Sequence, residues 1–171
     1  MKKITLQYIL LAAVSSYTCL AQVPTPAGPQ QKPILITGAT VHNGNGQTID
    51  NGAVAFENGK LTYVGTVSGA PSDQSKYEVI NASGKHVYPG FIITNSRLGL
   101  EEVSAVRATI DSEEEGNFNP NVRAQIAYNT DSEIIPTYRF NGILLAEATP
   151  AGGIISGTSS VMQAEGWNWE D

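Results

Sequence analysis

The chain has 171 residues, of which 41% are hydrophobic and 15% charged, a composition typical of a globular protein and unlike that of a disordered one. This length allows one medium-sized domain, or one domain with part of another. Sixteen acidic residues against ten basic ones give a formal net charge of −6. Such a balance argues against partners that require a cationic surface, namely nucleic acid and anionic membrane.

The first 21 residues have the pattern of a secretory signal peptide. Lys2 and Lys3 precede an apolar run that is too short to span a membrane, and Cys19-Leu20-Ala21 offers small residues at positions −3 and −1 of a cleavage site. We therefore predict cleavage after Ala21 and export to the periplasm or the exterior. Lipid attachment at Cys19 is disfavoured because Tyr17 is bulky where lipoprotein signals have small residues.

The predicted mature chain is strongly acidic and contains no cysteine. Loss of Lys2 and Lys3 leaves eight basic residues against sixteen acidic ones, a formal charge of about −8. Without cysteine, neither a disulfide framework nor a thiolate metal site is possible. Residues 22–33 are rich in Pro, Gln and Gly, which predicts a linker.

Residues 34–88 are predicted to form a small antiparallel β-sandwich-like unit, because short apolar runs alternate there with turn residues. Asn58-Gly59 between two β-prone runs indicates a hairpin, since both central residues of a type I′ turn need positive φ. A further hairpin is predicted between residues 77–81 and 86–88.

After Pro89-Gly90 the pattern changes to that of alternating strands and helices. Residues 91–94 and 143–146 are apolar runs typical of strands buried on both faces. Between them we expect a helical turn at residues 101–106, an acidic loop at 111–119, a helix at 122–128 that Asn119 and Pro120 begin, and an ambiguous segment around Pro136.

The junction between the two regions reads Gly84-Lys85-His86-Val87-Tyr88-Pro89-Gly90-Phe91-Ile92. Together with the turns at Asn51-Gly52 and Asn58-Gly59, this segment resembles the N-terminal part of the amidohydrolase superfamily, in particular its exported, imidazolonepropionase-like members. The resemblance implies a fold class of mixed β and α/β structure, in which the β unit precedes the first strands and helices of an incomplete (β/α)8 TIM barrel at residues 89–171. It also implies a divalent metal such as zinc.

The sequence departs from this family where its first barrel strand carries Asp-x-His-x-His. Alignment on Pro89-Gly90 places Ile93 at the Asp, Asn95 at the first His and Arg97 at the second. Asn95 offers only a neutral carbonyl, and Arg97 is a permanent cation without an acceptor. We therefore predict no metal site at these residues and no cofactor held by this chain.

Two interpretations of Asn95 and Arg97 stay open. They form a substrate-binding site for a small carboxylate-bearing molecule, which guanidinium binds in a bidentate way, or the site has lapsed and Arg97 pairs with Glu101 or Glu102. The second interpretation is favoured.

Other residues with chemical potential are assigned structural roles. His42 and His86 are the only histidines, and neither has a second ligand at metal-binding spacing in the sequence. The acidic run at residues 111–115 lacks the oxygen alternation of a calcium loop, and the Gly/Ser-rich residues 152–160 lack the lysine of a phosphate loop. Trp167 and Trp169 are interpreted as core residues.

Two functions follow from the resemblance. One is a hydrolase of non-peptide or cyclic C–N bonds, acting on a small-molecule substrate and degenerate at the first metal pair. The other is a non-catalytic binding or partner subunit, associated with itself or with a metal-competent relative. We name no catalytic residue, leave open whether the protein is an enzyme, and expect the 171 residues alone to be inactive and poorly stable, as an incomplete barrel.

Overall fold

The computed structural model describes residues 26–171, which form two sheets joined at Pro89 and Gly90. The predicted signal peptide, with Cys19 and the cleavage site after Ala21, lies outside the described residues. None of the helices within residues 26–171 has the length and apolar character needed to cross a membrane.

The first sheet has five strands. They are β1 (Ile34–His42), β2 (Thr48–Glu57), β3 (Lys60–Thr66), β4 (Glu78–Asn81) and β5 (His86–Val87). β2 pairs antiparallel with both β1 and β3, and Asn58 and Gly59 between β2 and β3 have φ of 50° and 71°. The hairpin predicted at Asn58-Gly59 is therefore confirmed.

The predicted hairpin between residues 77–81 and 86–88 is wrong. β4 and β5 do not pair with each other; each pairs parallel with β1, one after the other along the same edge. The turn between them is fixed at both ends, because Ala82 N–H donates to Thr37 O and Thr40 N–H donates to Lys85 O. The chain thus steps along β1 instead of reversing, and the sheet is mixed rather than antiparallel.

Apolar side chains are buried on both faces of the first sheet. One cluster contains Ala39, Val41 and Val54, and the other contains Leu35, Ala53 and Ala55. The alternation along β1 and β2 sends successive side chains to opposite faces. Each face therefore has its own small core, and the five strands do not form a simple one-sided layer.

The described part of the predicted linker, residues 26–33, contains no helix or strand. It is nevertheless tied to the folded unit. Gln30 accepts from Asn58 N–H at 2.9 Å and donates to Phe56 O at 3.2 Å, while Ala27 N–H donates to Glu165 Oε1 at 2.8 Å. These contacts hold the segment against the β2–β3 turn at one end and against the C-terminal region at the other.

The second sheet has three strands in the order β6 (Phe91–Ser96), β7 (Ile143–Ala148) and β8 (Ser160–Gln163). β6 and β7 are parallel, and α1 (Ala124–Ala127) and α2 (Ile134–Phe140) lie between them in the sequence. The predicted strand–helix–strand unit is confirmed. β8 was not predicted, and it runs antiparallel to β7.

The helices differ from the prediction at two places. Residues 101–106 contain no helix, and the nearest is a 3₁₀ turn at Arg107–Thr109. α1 begins at Ala124, with Arg123 and not Asn119 as its N-cap. Thr158 donates its N–H to Val122 O and accepts from Ala124 N–H, so that the chain before Ala124 is held in extended pairing and the predicted helix is shortened.

One face of the second sheet is covered and the other is open within the described chain. Leu98, Tyr128 and Ile135 pack over Ala146 and related residues of the covered face. On the opposite face, the side chains of Ile92 and Val161 are 59% and 64% exposed. The predicted burial of β6 on both faces is therefore not found within residues 26–171.

Candidate functional site

The carboxyl end of β6 is shaped by a β-bulge at Asn95. Ile93 pairs with Ala146 and Ser96 with Ala148, so two residues of β6 face Glu147 alone. Asn95 has a φ of 52°, a left-handed conformation that Asn tolerates better than most residues. The bulge turns the Asn95 N–H toward Glu147 Oε2, at 3.2 Å.

Glu147 is the acidic residue that sequence reasoning missed. Its neighbours Ala146 and Ala148 are fully buried, so strand alternation directs the partly buried Glu147 to the other face. Besides Asn95 N–H, it accepts the hydroxyl of Ser159 at 2.9 Å. A carboxylate inside the apolar run of residues 143–148 was the signal available in the sequence.

Arg97 forms an ion pair with Glu101, with 2.8 Å between Nη1 and Oε1. The pair is set by a tight turn, in which Leu100 N–H and Glu101 N–H both donate to Arg97 O. Glu101 was one of the two partners considered for Arg97. The other, Glu102, accepts from Ser132 Oγ and Asn129 Nδ2.

Ser112 completes the network around Glu101. This buried serine donates its hydroxyl to the carboxylate oxygen that also contacts Arg97. The hydrogen bond from Ser112, followed by the hydrogen bond and charge of Arg97, lowers the pKa of Glu101 below its ordinary value of 4.5. Since Arg97 is half exposed, solvent screens the ion pair, and the buried hydroxyl is the stronger reason for the lowered pKa.

The network should make stability depend on pH through Glu101. A carboxyl group with a lowered folded-state pKa stabilises the fold above the unfolded pKa, and this contribution is lost as the pH falls through the folded-state value. We expect Glu101→Gln to lower the free energy of unfolding by about 1 kcal/mol at pH 7. The difference from the parent should shrink below pH 4, as measured by urea unfolding.

Glu115→Gln is the matched control, because Glu115 is exposed and its side chain has no hydrogen-bond partner among the described residues. It should leave the unfolding free energy unchanged at both pH values. An equal loss in Glu101→Gln at pH 3.5 and pH 7 would mean that the carboxylate charge is not what stabilises this turn.

Two loops pair at the strand ends. Three parallel bridges join Glu113 to Ala151, Phe118 to Ile155, and Arg123 to Thr158. The amides of Ala151, Ile154, Ile155 and Thr158 donate to carbonyls of the acidic loop and the residues that follow it. These amides are thus occupied, which favours the structural interpretation of the Gly/Ser-rich loop over phosphate binding.

Asn95 and Arg97 do not fit a divalent metal such as zinc. One offers a neutral carbonyl and the other a cation held by Glu101. Across residues 26–171, no group of three or more His, Cys, Asp or Glu side chains is placed to hold a metal ion. The acidic residues 111–115 form no such group.

The structure brings His42 and His86 together, although neither has a second ligand at metal-binding spacing in the sequence. His42 Nε2 and His86 Nδ1 are 3.0 Å apart. The ring of Tyr88 stacks on His42, with centroids 4.1 Å apart and planes at 10°. Parallel pairing of β5 with β1 creates this contact, and the hairpin predicted for β5 concealed it.

Trp167 and Trp169 are not core residues in the described chain. Their side chains are 62% and 39% exposed. The backbone around them is held by Asp171, which accepts from Trp167 N–H and Asn168 N–H.

Comparisons with known proteins agree with the fold. No protein-family model matches the chain. Over 50 residues it is 50% identical to an imidazolonepropionase of Bacillus cereus, a match that covers 29% of this chain and 12% of the relative. An imidazolonepropionase of Bacillus thuringiensis is 48% identical over 50 residues, with the same coverage. The chain thus matches only a small part of these relatives.

A solved structure extends the match to most of the chain. The crystal structure of an amidohydrolase from Thermotoga maritima superimposes with a TM-score of 0.71 and 25% identity, covering 80% of this chain and 35% of that one. Sequence and fold agree on one family. This chain carries the N-terminal part of an amidohydrolase-superfamily protein.

Proposed function

We propose that this chain belongs to an exported amidohydrolase-type protein whose second sheet begins a (β/α)8 barrel and whose first metal pair is degenerate. The parallel strands β6 and β7, with helices packed on one face within residues 26–171, support the barrel. The observation that carries the proposal is the Arg97–Glu101–Ser112 network at the end of β6. In this network the carboxylate of Glu101 is bound by groups of this chain, at the position where the family has a metal ligand.

The reaction class that fits the family is hydrolysis of non-peptide or cyclic C–N bonds in a small molecule. Any metal that supports it would be held by residues other than Asn95 and Arg97, since neither supplies a suitable ligand. The matched part is 12% of the length of the imidazolonepropionases, so this activity is proposed for the whole protein and not for these 171 residues.

A second candidate is a non-catalytic binding or partner subunit. Two carboxylates that contact residues at the end of β6 are each engaged by donors of this chain. Glu101 accepts from Arg97 and Ser112, and Glu147 accepts from Asn95 N–H and Ser159. Groups held in this way stabilise the strand end, which favours a retained fold with a lost metal.

The proposal that the first metal pair is degenerate can be tested by restoring histidines at positions 95 and 97. In a background of His42→Asn and His86→Asn, which contains no histidine, Asn95→His and Arg97→His would supply the only two imidazoles. Histidine tolerates the left-handed backbone of residue 95. We expect the restored variant to bind one equivalent of Co²⁺ and the background to bind none, as measured by absorption spectroscopy.

Circular dichroism of both proteins controls for folding. If the folded background binds as much Co²⁺ as the restored variant, the bound metal does not depend on residues 95 and 97, and the assignment of the metal pair to them is wrong. If the folded restored variant gains no metal, positions 95 and 97 do not correspond to the metal pair. Metal content and hydrolysis of the naturally produced protein would separate the two candidate functions, since only the hydrolase requires both.

A further inference from the structure

The two histidines of the chain meet at the edge between β1 and β5. Thr40 pairs with His86 and Val41 with Val87 in parallel register. This register puts His42, at the end of β1, level with Tyr88 and on the same face as His86, and the Nε2 atom of His42 and the Nδ1 atom of His86 are 3.0 Å apart. The two residues are 44 positions apart in the sequence, so only the fold creates the pair.

The distance between the nitrogens matches what a single metal ion requires. Metal–imidazole bonds of about 2.0–2.1 Å place two nitrogens about 2.9 Å apart at a right angle and about 3.4 Å apart in a tetrahedron. The observed 3.0 Å lies within this range. A neutral pair at this distance shares one hydrogen. A metal ion can take its place when the donor ring gives up this proton to water and takes one up on its other nitrogen, so that both facing nitrogens offer a lone pair, and when both rings turn toward a common point.

The surroundings of the histidine pair favour a bound cation that keeps water molecules as ligands. Tyr88 stacks on His42 and restrains its ring, while His86 is exposed and His42 half-buried. A dissolved ion can therefore reach the pair, and water can complete its coordination. The chain carries sixteen acidic residues against ten basic ones, so its overall field attracts cations.

We propose that His42 and His86 form a two-nitrogen site for a late first-row divalent ion, with Cu²⁺ bound more tightly than Zn²⁺. The order follows from the general affinity series for nitrogen ligands. No third His, Cys, Asp or Glu joins the pair within residues 26–171, so water supplies the remaining ligands. The site lies in the first sheet and is independent of the function proposed for Asn95 and Arg97.

The test is a Cu²⁺ titration of the chain without a histidine tag, at about pH 8, where imidazole is neutral. We expect one equivalent of bound Cu²⁺ whose electron paramagnetic resonance spectrum shows coupling to two imidazole nitrogens. His42→Asn and His86→Asn should each remove one nitrogen and weaken binding at least about tenfold, because the chelating pair is broken.

Tyr88→Phe is the control, because it keeps the stacked ring and both imidazoles. It should retain the two-nitrogen spectrum. Circular dichroism would establish that each variant is folded. A spectrum with one coupled nitrogen or none in the parent would overturn the proposal, and so would unchanged Cu²⁺ affinity in both folded histidine variants. In a parallel titration with Zn²⁺, the NMR chemical shifts of the imidazole nitrogens of both histidines should change. These changes should require higher metal concentrations than the binding of Cu²⁺.

Discussion

Replacing Gly153 by alanine should lower the free energy of unfolding by about 3 kcal/mol, whereas Gly152→Ala should cost about 1 kcal/mol. Both glycines have left-handed φ, 85° at Gly152 and 63° at Gly153, so both substitutions incur similar backbone strain. They differ in what the new methyl group meets. At Gly153 it would lie 2.8 Å from Gly116 O and 2.9 Å from Asn117 O.

The neighbouring position offers the matched control. A Cβ atom at Gly152 would meet nothing closer than 3.7 Å, from the side chain of Glu113. The difference between the two variants therefore isolates the close approach of the Gly/Ser-rich loop to the acidic loop. Urea unfolding of the two proteins at the same pH gives this difference directly. Equal losses would mean that the loops do not pair as described.

The Gly153→Ala variant also tests the backbone pairing of the two loops at the strand ends. Gly153 lies between the bridges Glu113–Ala151 and Phe118–Ile155, and the amides of Ile154 and Ile155 both donate to Asn117 O. A methyl group at Gly153 pushes against the carbonyl that accepts these bonds. The acidic loop should then become more susceptible to proteolysis in Gly153→Ala than in Gly152→Ala, because its backbone partners are lost.

Local signals were enough to predict much of the fold. Asn58-Gly59 fixed a hairpin because its turn demands positive φ at adjacent residues, and the apolar run at residues 143–146 predicted β7. The change of pattern at Pro89-Gly90 also predicted the boundary between the two sheets, because this signal depends only on residues that are neighbours in the sequence.

The contacts of the candidate site could not be predicted because they join distant residues. His42 and His86 are 44 positions apart, and Asn95 and Glu147 are 52 apart. Both contacts depend on which strands pair and on where the register slips, and the local pattern specifies neither. Glu101 was one of the two partners considered for Arg97, because a spacing of four residues is local.

Gly99→Ala is expected to have the second large effect, again about 3 kcal/mol of unfolding free energy. Gly99 has a φ of 76°, and an added Cβ would overlap Cε2 of Tyr128 and lie 2.6 Å from its Cδ2. That ring is buried in the core of the second sheet and cannot move without displacing its neighbours. Gly84→Ala is the control, because Gly84 has a φ of 73° and nothing within 4 Å of an added Cβ, so only the backbone strain of about 1 kcal/mol remains.

A second measurement shows whether the Tyr128 ring is displaced in Gly99→Ala. Burial, and then the charge of Glu102, raise the pKa of Tyr128 to about 12, against an ordinary value of 10. A raised folded-state pKa stabilises the fold below the unfolded value, so this contribution is lost as the pH rises from 10 to about 12. If the ring leaves the core, the loss over this range should be smaller in Gly99→Ala than in the parent. An alanine variant with parental stability and an unchanged alkaline profile would show that Tyr128 does not pack on Gly99.

The same substitution should also affect the ion pair between Arg97 and Glu101, because Gly99 lies in the turn that joins them. A displaced Tyr128 ring should weaken this ion pair. The dependence of stability on acid pH that is attributed to Glu101 should then be smaller in Gly99→Ala than in the parent.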